Sequence, residues 1–323
     1  MNFKEIQKLF QADLEQVNEE IKRSLDSPIS FIGKVASYLI ESGGKRFRPL
    51  VLIISSRSFG YSQPRIYSIA STLEFIHTAT LLHDDVVDYA ELRRGQPTAN
   101  TLWGNEATVL VGDFLLARSF LKLVQDGDLE ILDCISKATT RMAEGEILQL
   151  LRTNEPNITE DEYLEVVYSK TAVLISAASE IGAILGSGTK EEKTKMKEFG
   201  KNLGIAFQIV DDTIDYLIDD QTMGKTRGQD FFDGKVTMPF IFAYNSANET
   251  QKSFLEELFL KKEKSKEDFD KIFNYLNKVN AFEYAFNRAK EFAQLAKENI
   301  DFIEEPYKGY LSSLVDYTIE RNL

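Results

Sequence analysis

The sequence predicts an all-α protein, and three observations carry that expectation. Apolar residues recur at three- and four-residue spacing almost from end to end, which is the period of an amphipathic helix. No stretch alternates apolar and polar residues between turn signals, as a half-buried strand would. Only seven prolines interrupt the 323 residues, and glycines gather in a few short places.

The elements follow in order. Phe3, Ile6, Phe10, Leu14, Val17 and Ile21 form the apolar stripe of an opening helix whose other face carries Asp, Glu and Lys. Further helices are expected over 29–42, 49–59, 64–89, 106–125, 128–152, 159–185, 190–219, 235–247, 250–260, 266–279, 280–303 and 306–320. Those at 64–89, 159–185 and 190–219 are long and apolar on more than one face, as central members of a bundle are. Three interruptions rich in Gly, Lys and Arg stand between helices: Ser42 to Pro49, Tyr89 to Gly104, and Gln221 to Thr237. No linker and no fixed-period repeat divides the chain, so residues 1–323 are expected to form one domain.

Composition narrows the function. A hydrophobic content of 43% supports a sizeable core, and a formal charge of -13 argues against nucleic-acid binding and against a polybasic membrane patch. An anionic substrate would therefore need a local basic site. Cys134 is the one cysteine, which excludes an intrachain disulfide and fits the cytoplasm. The start, Met1-Asn2-Phe3-Lys4-Glu5, does not read as a secretion signal, and apolar runs such as Pro49 to Ile54 are too short to span a bilayer.

Chemistry concentrates in two clusters of the form Asp-Asp-x-x-Asp: Asp84, Asp85 and Asp88, then Asp211, Asp212 and Asp215. On a helix the outer aspartates lie one turn apart, so their carboxylates crowd one face and repel. Hard oxygen ligands of this kind select magnesium or calcium, and magnesium typically takes one or two carboxylates together with phosphate oxygens. One such cluster reads equally well as a solvated acidic face. Two, each embedded in apolar sequence, Thr78 to His83 before the first and Ile205 to Val210 before the second, are costly to bury without a cation to neutralise them. The basic interruptions supply the complementary charge. Gly43-Gly44-Lys45-Arg46-Phe47-Arg48-Pro49 places three cations on a turn at a helix start, an arrangement suited to phosphate. Arg93-Arg94-Gly95 follows the first cluster; Gly224-Lys225 and Asp233-Gly234-Lys235 follow the second.

These residues, with Glu74-Phe75-Ile76-His77-x-Ala79-Thr80-Leu81-Leu82-His83 before the first cluster, Gly112-Asp113, Ala143-Glu144-Gly145-Glu146, Tyr168-x-Lys170-Thr171, Phe207-Gln208 and Gly234-Lys235-x-Thr237-x-Pro239, closely resemble the trans-prenyl diphosphate synthases over nearly the full length. Within that family the likeness is to the long-chain type, octaprenyl synthases among them. The resemblance implies an isoprenoid-synthase-type helical bundle around a central cavity, acting as a homodimer. It implies repeated condensation of isopentenyl diphosphate onto an allylic diphosphate such as farnesyl diphosphate, with a product destined for a quinone side chain. Asp84, Asp85, Asp88, Asp211, Asp212 and Asp215 would hold three magnesium ions against the allylic diphosphate, which Arg93, Lys170, Lys225 and Lys235 would also contact. Lys45, Arg48, His77 and Arg94 would hold isopentenyl diphosphate. Lys170, Thr171 and Gln208 would take part in the chemistry, and His83 would support from behind.

Without that resemblance, His77 reads as a core histidine, Lys170-Thr171 as a helix-surface pair and Gln208 as a packing residue. In the family, the fifth residue before the first aspartate lines the wall along which product grows, and bulky aromatics there stop it early. Ala79, with Thr80 beside it, implies an open entrance, a floor at Phe75, Phe120 or Leu123, and a product of about C35 to C50. The alternatives are a shorter-chain farnesyl or geranylgeranyl synthase, a terpene cyclase, which would not need the second anion cradle, and a non-catalytic subunit, which would lack the aspartates. The end, Glu320-Arg321-Asn322-Leu323, departs from relatives that carry a further basic residue there.

Overall fold

The computed structural model describes residues 1–41, 44–93, 95–217 and 227–320. Its helices are α1 (Phe3–Leu9), α2 (Gln11–Ser24), α3 (Ser30–Glu41), α4 (Phe47–Ser58) and α5 (Arg65–Val87), then α6 (Ala99–Trp103), α7 (Asn105–Asp126), α8 (Leu129–Arg152) and α9 (Glu160–Val167). A π-helical turn, Tyr168–Ala172, joins α9 to α10 (Val173–Leu185), and α11 (Lys190–Asp215) follows. The carboxy-terminal part holds α12 (Gln229–Phe232), α13 (Met238–Asn245), α14 (Glu249–Phe259), α15 (Lys266–Lys278), α16 (Ala281–Glu298) and α17 (Tyr307–Glu320). The strands among the described residues are a two-residue antiparallel pair, Leu92–Arg93 with Gln96–Pro97. The fold is all-α, as expected.

Local sequence explains most boundaries. Thr159 and Glu162 cap α9 reciprocally, and Thr189 with Glu192 does the same for α11; such caps contribute about 1 kcal/mol each. The opening helix differs from expectation. It breaks at Phe10 (φ -101°, ψ 19°), and the bend lets Phe3 stack on Tyr317 while Phe10 meets Tyr310, so both reach α17. The expected helix over 159–185 contains the π turn, which shifts the phase of the apolar stripe but leaves each flanking segment helical, so the sequence reads as one helix.

Helix α10 is buried at every position but Glu180, and its Ala, Ser and Gly residues let α4, α8 and α11 close around it. Helix α5 packs chiefly on α7, and α11 on α16. The apolar core has two clusters, and α11 contributes to both: Met196, Phe199 and Leu203 to one, Ile205, Ile209 and Ile214 to the other. The carboxy-terminal ends of α5 and α11, where the aspartates lie, thus face one space. Among the described residues no helix is long and apolar enough to cross a membrane.

Candidate active site

A cavity of about 660 Å³ opens between these helix ends. Asp84 and Asp88 line it from α5 and its cap, and Asp211 and Asp212 from α11. The other two aspartates lie behind the wall. Asp85 is fully buried, and Arg93 donates to its Oδ1 through Nε at 2.8 Å and Nη2 at 2.7 Å. Asp215 accepts the backbone N–H of Asp230 at Oδ2 (3.1 Å) and, at its carbonyl, that of Gly228 (2.8 Å), so it organises the start of α12. Asp212 accepts from Tyr163 Oη (2.7 Å) and Gln208 Nε2 (2.6 Å), and Thr171 Oγ1 donates to Gln208 Oε1 (2.8 Å).

The π turn carries Lys170 and Thr171 to the cavity. Helix α8 presses on that turn because position 145 is glycine: a Cβ there would lie 2.4 Å from Ser169 Cβ and 3.1 Å from the Lys170 nitrogen. This contact sets Glu146 Oε2 2.6 Å from Lys170 Nζ. Lys235 reaches the cavity from a turn whose Gly234 has φ +73° and whose carbonyl accepts the Asn154 N–H at 2.8 Å. Its Nζ lies 3.0 Å from Asp88 Oδ2 and 3.3 Å from Asp233 Oδ2.

Burial pushes the Asp84 carboxyl up to about 7; Lys170 opposes this, while Glu146 and Asp88 add to it. Burial also raises Asp212, and Asp230 reinforces it against the hydrogen bonds from Tyr163 and Gln208. Burial works against the charge on Lys235, but Asp88, Asp230 and Asp233 outweigh it and hold its pKa above the ordinary lysine value. Carboxylates in this state fit an added cation, whose charge would restore their ionised forms. Among the described residues no three His, Cys, Asp or Glu side chains converge to hold a metal alone. Magnesium ions here would need phosphate oxygens beside one or two carboxylates each.

The cavity also has a basic part. Lys45 and Arg46 line it from the turn before α4, Arg48 from the first turn of α4, and His77 from α5, but the three cations are used differently. Arg46, with φ 48°, turns its guanidinium inward to Asn18 Oδ1 (3.0 Å), Glu74 Oε2 (3.1 Å) and the Ile40 carbonyl (3.0 Å). It pins the turn. Arg48 has its pKa lowered by burial, opposed by Glu74, and its Nε has no hydrogen-bond partner among the described residues. Lys45 is exposed and donates to Tyr317 Oη.

A family model described as polyprenyl synthetase matches residues 29–276. The chain belongs to the polyprenyl synthetase family. It is 40% identical to the octaprenyl diphosphate synthase of Haemophilus influenzae, covering 100% of this chain and 98% of that one, and 37% identical to that of Escherichia coli, covering 100% of both. The solved decaprenyl diphosphate synthase from Rhodobacter capsulatus superposes with a TM-score of 0.94 at 38% identity, covering 99% of each chain. A polyprenyl synthase from Caulobacter crescentus, complexed with calcium and isoprenyl diphosphate, gives 0.95 at 35% identity, covering 100% of this chain and 98% of that one. This polyprenyl synthetase is a prenyltransferase.

The remaining sequence-predicted positions in the synthetase fall as follows. Gly43, Arg94 and Lys225 lie outside the described residues. Ala79 is buried, and Thr80 Oγ1 donates to the His77 carbonyl (2.8 Å); their neighbours Thr78 and Leu81 are the cavity-lining residues. Phe75 is buried in the core cluster, with Leu123 in the same cluster and Phe120 packed against it. His83 faces α7, with Nε2 3.2 Å from the Val109 carbonyl and 3.4 Å from Asp113 Oδ1. Sequence reasoning gave no role to Asp230, Tyr163, Tyr317 or Glu146, although the first three line the cavity and Glu146 holds Lys170. Glu146 sat in the quoted Ala143-Glu144-Gly145-Glu146 motif, which was its available signal. Tyr163 and Tyr317 carry no local signature.

Proposed function

We propose that this prenyltransferase is a magnesium-dependent, long-chain trans-prenyl diphosphate synthase. It condenses isopentenyl diphosphate repeatedly onto an allylic diphosphate to give a product of about C35 to C50, eight isoprene units being favoured, for a quinone side chain. One observation carries the reading: a single cavity is lined both by Lys45 and Arg48, neither of which forms a salt bridge to a carboxylate among the described residues, and by four aspartates. Two diphosphates thus have two chemically different cradles. The full-length likeness to octaprenyl synthases favours the long product.

Of the six aspartates expected to hold three magnesium ions, Asp84, Asp88, Asp211 and Asp212 line the cavity, while Asp85 and Asp215 also fix Arg93 and the Asp230 segment. When bound, magnesium neutralises the departing diphosphate of the allylic substrate. Arg93, Lys170 and Lys235 orient that diphosphate, with Lys225 completing the set, and their charges stabilise it as the allylic carbon–oxygen bond breaks. Lys45, Arg48 and His77, with Arg94, hold isopentenyl diphosphate so that its double bond meets the allylic cation. A carbon–carbon bond forms, and the new cation loses a proton to the released diphosphate. The Thr171–Gln208 pair presents oxygens toward that cation. Ala79 and Thr80, between the cavity-lining Thr78 and Leu81, leave this stretch of α5 without a bulky ring to stop the growing chain. The apolar wall of Leu81, Ile158, Val166, Val167 and Phe207 excludes water from the cation's surroundings.

The enzyme works as a single-domain homodimer in the cytoplasm. Support for a second copy comes from α7, where Leu110, Phe114, Ala117, Leu121 and Val124 follow four- and three-residue spacing on the outer face, beside Ile147, Leu150 and Leu151 of α8. The test of function is incubation with magnesium, farnesyl diphosphate and isopentenyl diphosphate, followed by sizing of products. Products of C35 or longer support the reading. Products ending at C20, or a cyclised hydrocarbon formed without isopentenyl diphosphate, overturn it.

A further inference from the structure

The first and last described helices converge on one lysine. Tyr317, near the end of α17, lines the cavity and accepts a hydrogen bond from Lys45 Nζ, whose ammonium also lies 5.1 Å from the Tyr317 ring centroid. Phe3 of α1 stacks on the Tyr317 ring, 4.1 Å away at an interplanar angle of 17°. From the same helix, Gln7 Nε2 donates to the Lys45 carbonyl at 3.0 Å. Phe47, two residues beyond Lys45, touches Phe3 (6.2 Å) and Phe207 (5.7 Å), the residue before Gln208.

Lys45 is exposed and flexible in chemistry, with four methylenes between backbone and charge. Among the described residues no carboxylate holds it, so its direction is set by the phenol and by the backbone brace from Gln7. A neutral acceptor suits this task. An ammonium has three donors, so it can keep its bond to Tyr317 while giving the others to a phosphate oxygen, whereas a carboxylate would compete for the charge.

We propose that Tyr317 is a positioning residue for isopentenyl diphosphate: its hydroxyl, braced by Phe3, aims Lys45 at the incoming diphosphate. This rests on the assignment of Lys45 to that substrate under the proposed function. The phenol contributes to binding of one substrate and leaves the other alone, because its polar contact is with Lys45 and not with Arg93, Lys170 or Lys235, which are held by their own carboxylates.

The test is Tyr317→Phe, which keeps the stack on Phe3 and removes the hydroxyl, measured in the full chain with each substrate varied in turn. The Michaelis constant for isopentenyl diphosphate rises on the order of three- to tenfold, the range expected for one lost hydrogen bond. That for the allylic diphosphate and kcat stay within about twofold. The second arm is Lys45→Met alone and combined with Tyr317→Phe. If Tyr317 acts through Lys45, the second substitution adds nothing to the first. Equal rises for both substrates, a fall in kcat alone, or full additivity in the double variant would overturn the assignment. Wild-type protein that turns over isopentenyl diphosphate while Tyr317→Phe behaves identically sinks this inference only. Wild-type protein that does not use isopentenyl diphosphate sinks the functional reading beneath it as well.

Discussion

The two walls of the cavity use the same residue types and are in opposite electrostatic states. On the aspartate wall every described cation already has a carboxylate: Arg93 has Asp85, Lys170 has Glu146, and Lys235 has Asp88 and Asp233. On the basic turn Arg46 is paired to Glu74, whose charge also acts on Arg48, while Lys45 meets no carboxylate among the described residues. The basic turn can receive an anion as it stands. The aspartate wall is close to internally balanced, so a diphosphate there gains little from Lys and Arg until added cations take over the carboxylates. Magnesium dependence is thus a property expected of one wall, and the residues of the two walls answer to different experiments.

The largest effect separates neighbours in sequence. Asp84→Ala should lower kcat/KM by at least about 10²- to 10³-fold, the scale of losing one transition-state electrostatic contact. Its stability should be unchanged or raised, because a desolvated carboxylate is removed. Asp85→Ala should instead cost about 3–5 kcal/mol of stability, because it strands the Arg93 guanidinium beside a buried void. Denaturant unfolding of the two variants side by side checks this. Equal destabilisation would mean that the two aspartates do not have the separate surroundings described above.

The next contrast is between lysines. With EDTA present, isopentenyl diphosphate should still bind, and Lys45→Met should weaken it about 10- to 100-fold, as expected for a charge-assisted hydrogen bond. Lys170→Met should change that binding little in EDTA, yet weaken binding of an allylic diphosphate in magnesium. Calorimetric titration with a non-reactive analogue reads both. If binding to the basic turn disappears with the metal, the two-wall distinction fails.

How much of this was legible in the sequence varies by region for physical reasons. Helix α5 was expected over 64–89 and spans Arg65–Val87, because a long apolar run with a defined stop leaves little freedom. The six clustered aspartates were evident too, but not their division of labour, since i, i+1 and i+4 spacing does not say which carboxylate turns inward. That depended on Arg93 folding back eight residues onto Asp85 and on the Asp230 N–H reaching Asp215. The sorting of Lys45, Arg46 and Arg48 was hidden for the same reason: it follows from the positive φ at Arg46 and from Glu74, twenty-eight residues away. The π turn and Tyr317 were hidden as well, the first because each flank still reads as a helix on its own, the second because it meets Lys45 only through the packing of the first and last helices.

The smallest effect tests the back of the aspartate wall, where a lysine has rings in place of a close carboxylate. Lys264 donates to the Phe231 carbonyl (2.7 Å), and its ammonium lies 4.7 Å from the Phe259 ring and 5.0 Å from that of Phe231. Burial lowers its pKa to about 8, and the charge of Asp233 opposes this only in part. An unfolded lysine titrates near about 10.4. Between those values the unfolded chain binds more protons than the folded one, so stability should rise as pH increases from about 8 to about 10.4. Below pH 8 both states hold the proton and the slope from this group vanishes. Lys264→Met should flatten that rise, whereas Lys235→Met should leave it in place, since the carboxylates around Lys235 hold its pKa above the ordinary value and its contribution declines only at higher pH. Urea midpoints across this range distinguish the two. A Lys264→Met protein with the wild-type slope would show that the rings and the Phe231 carbonyl stabilise the ammonium enough to offset its burial.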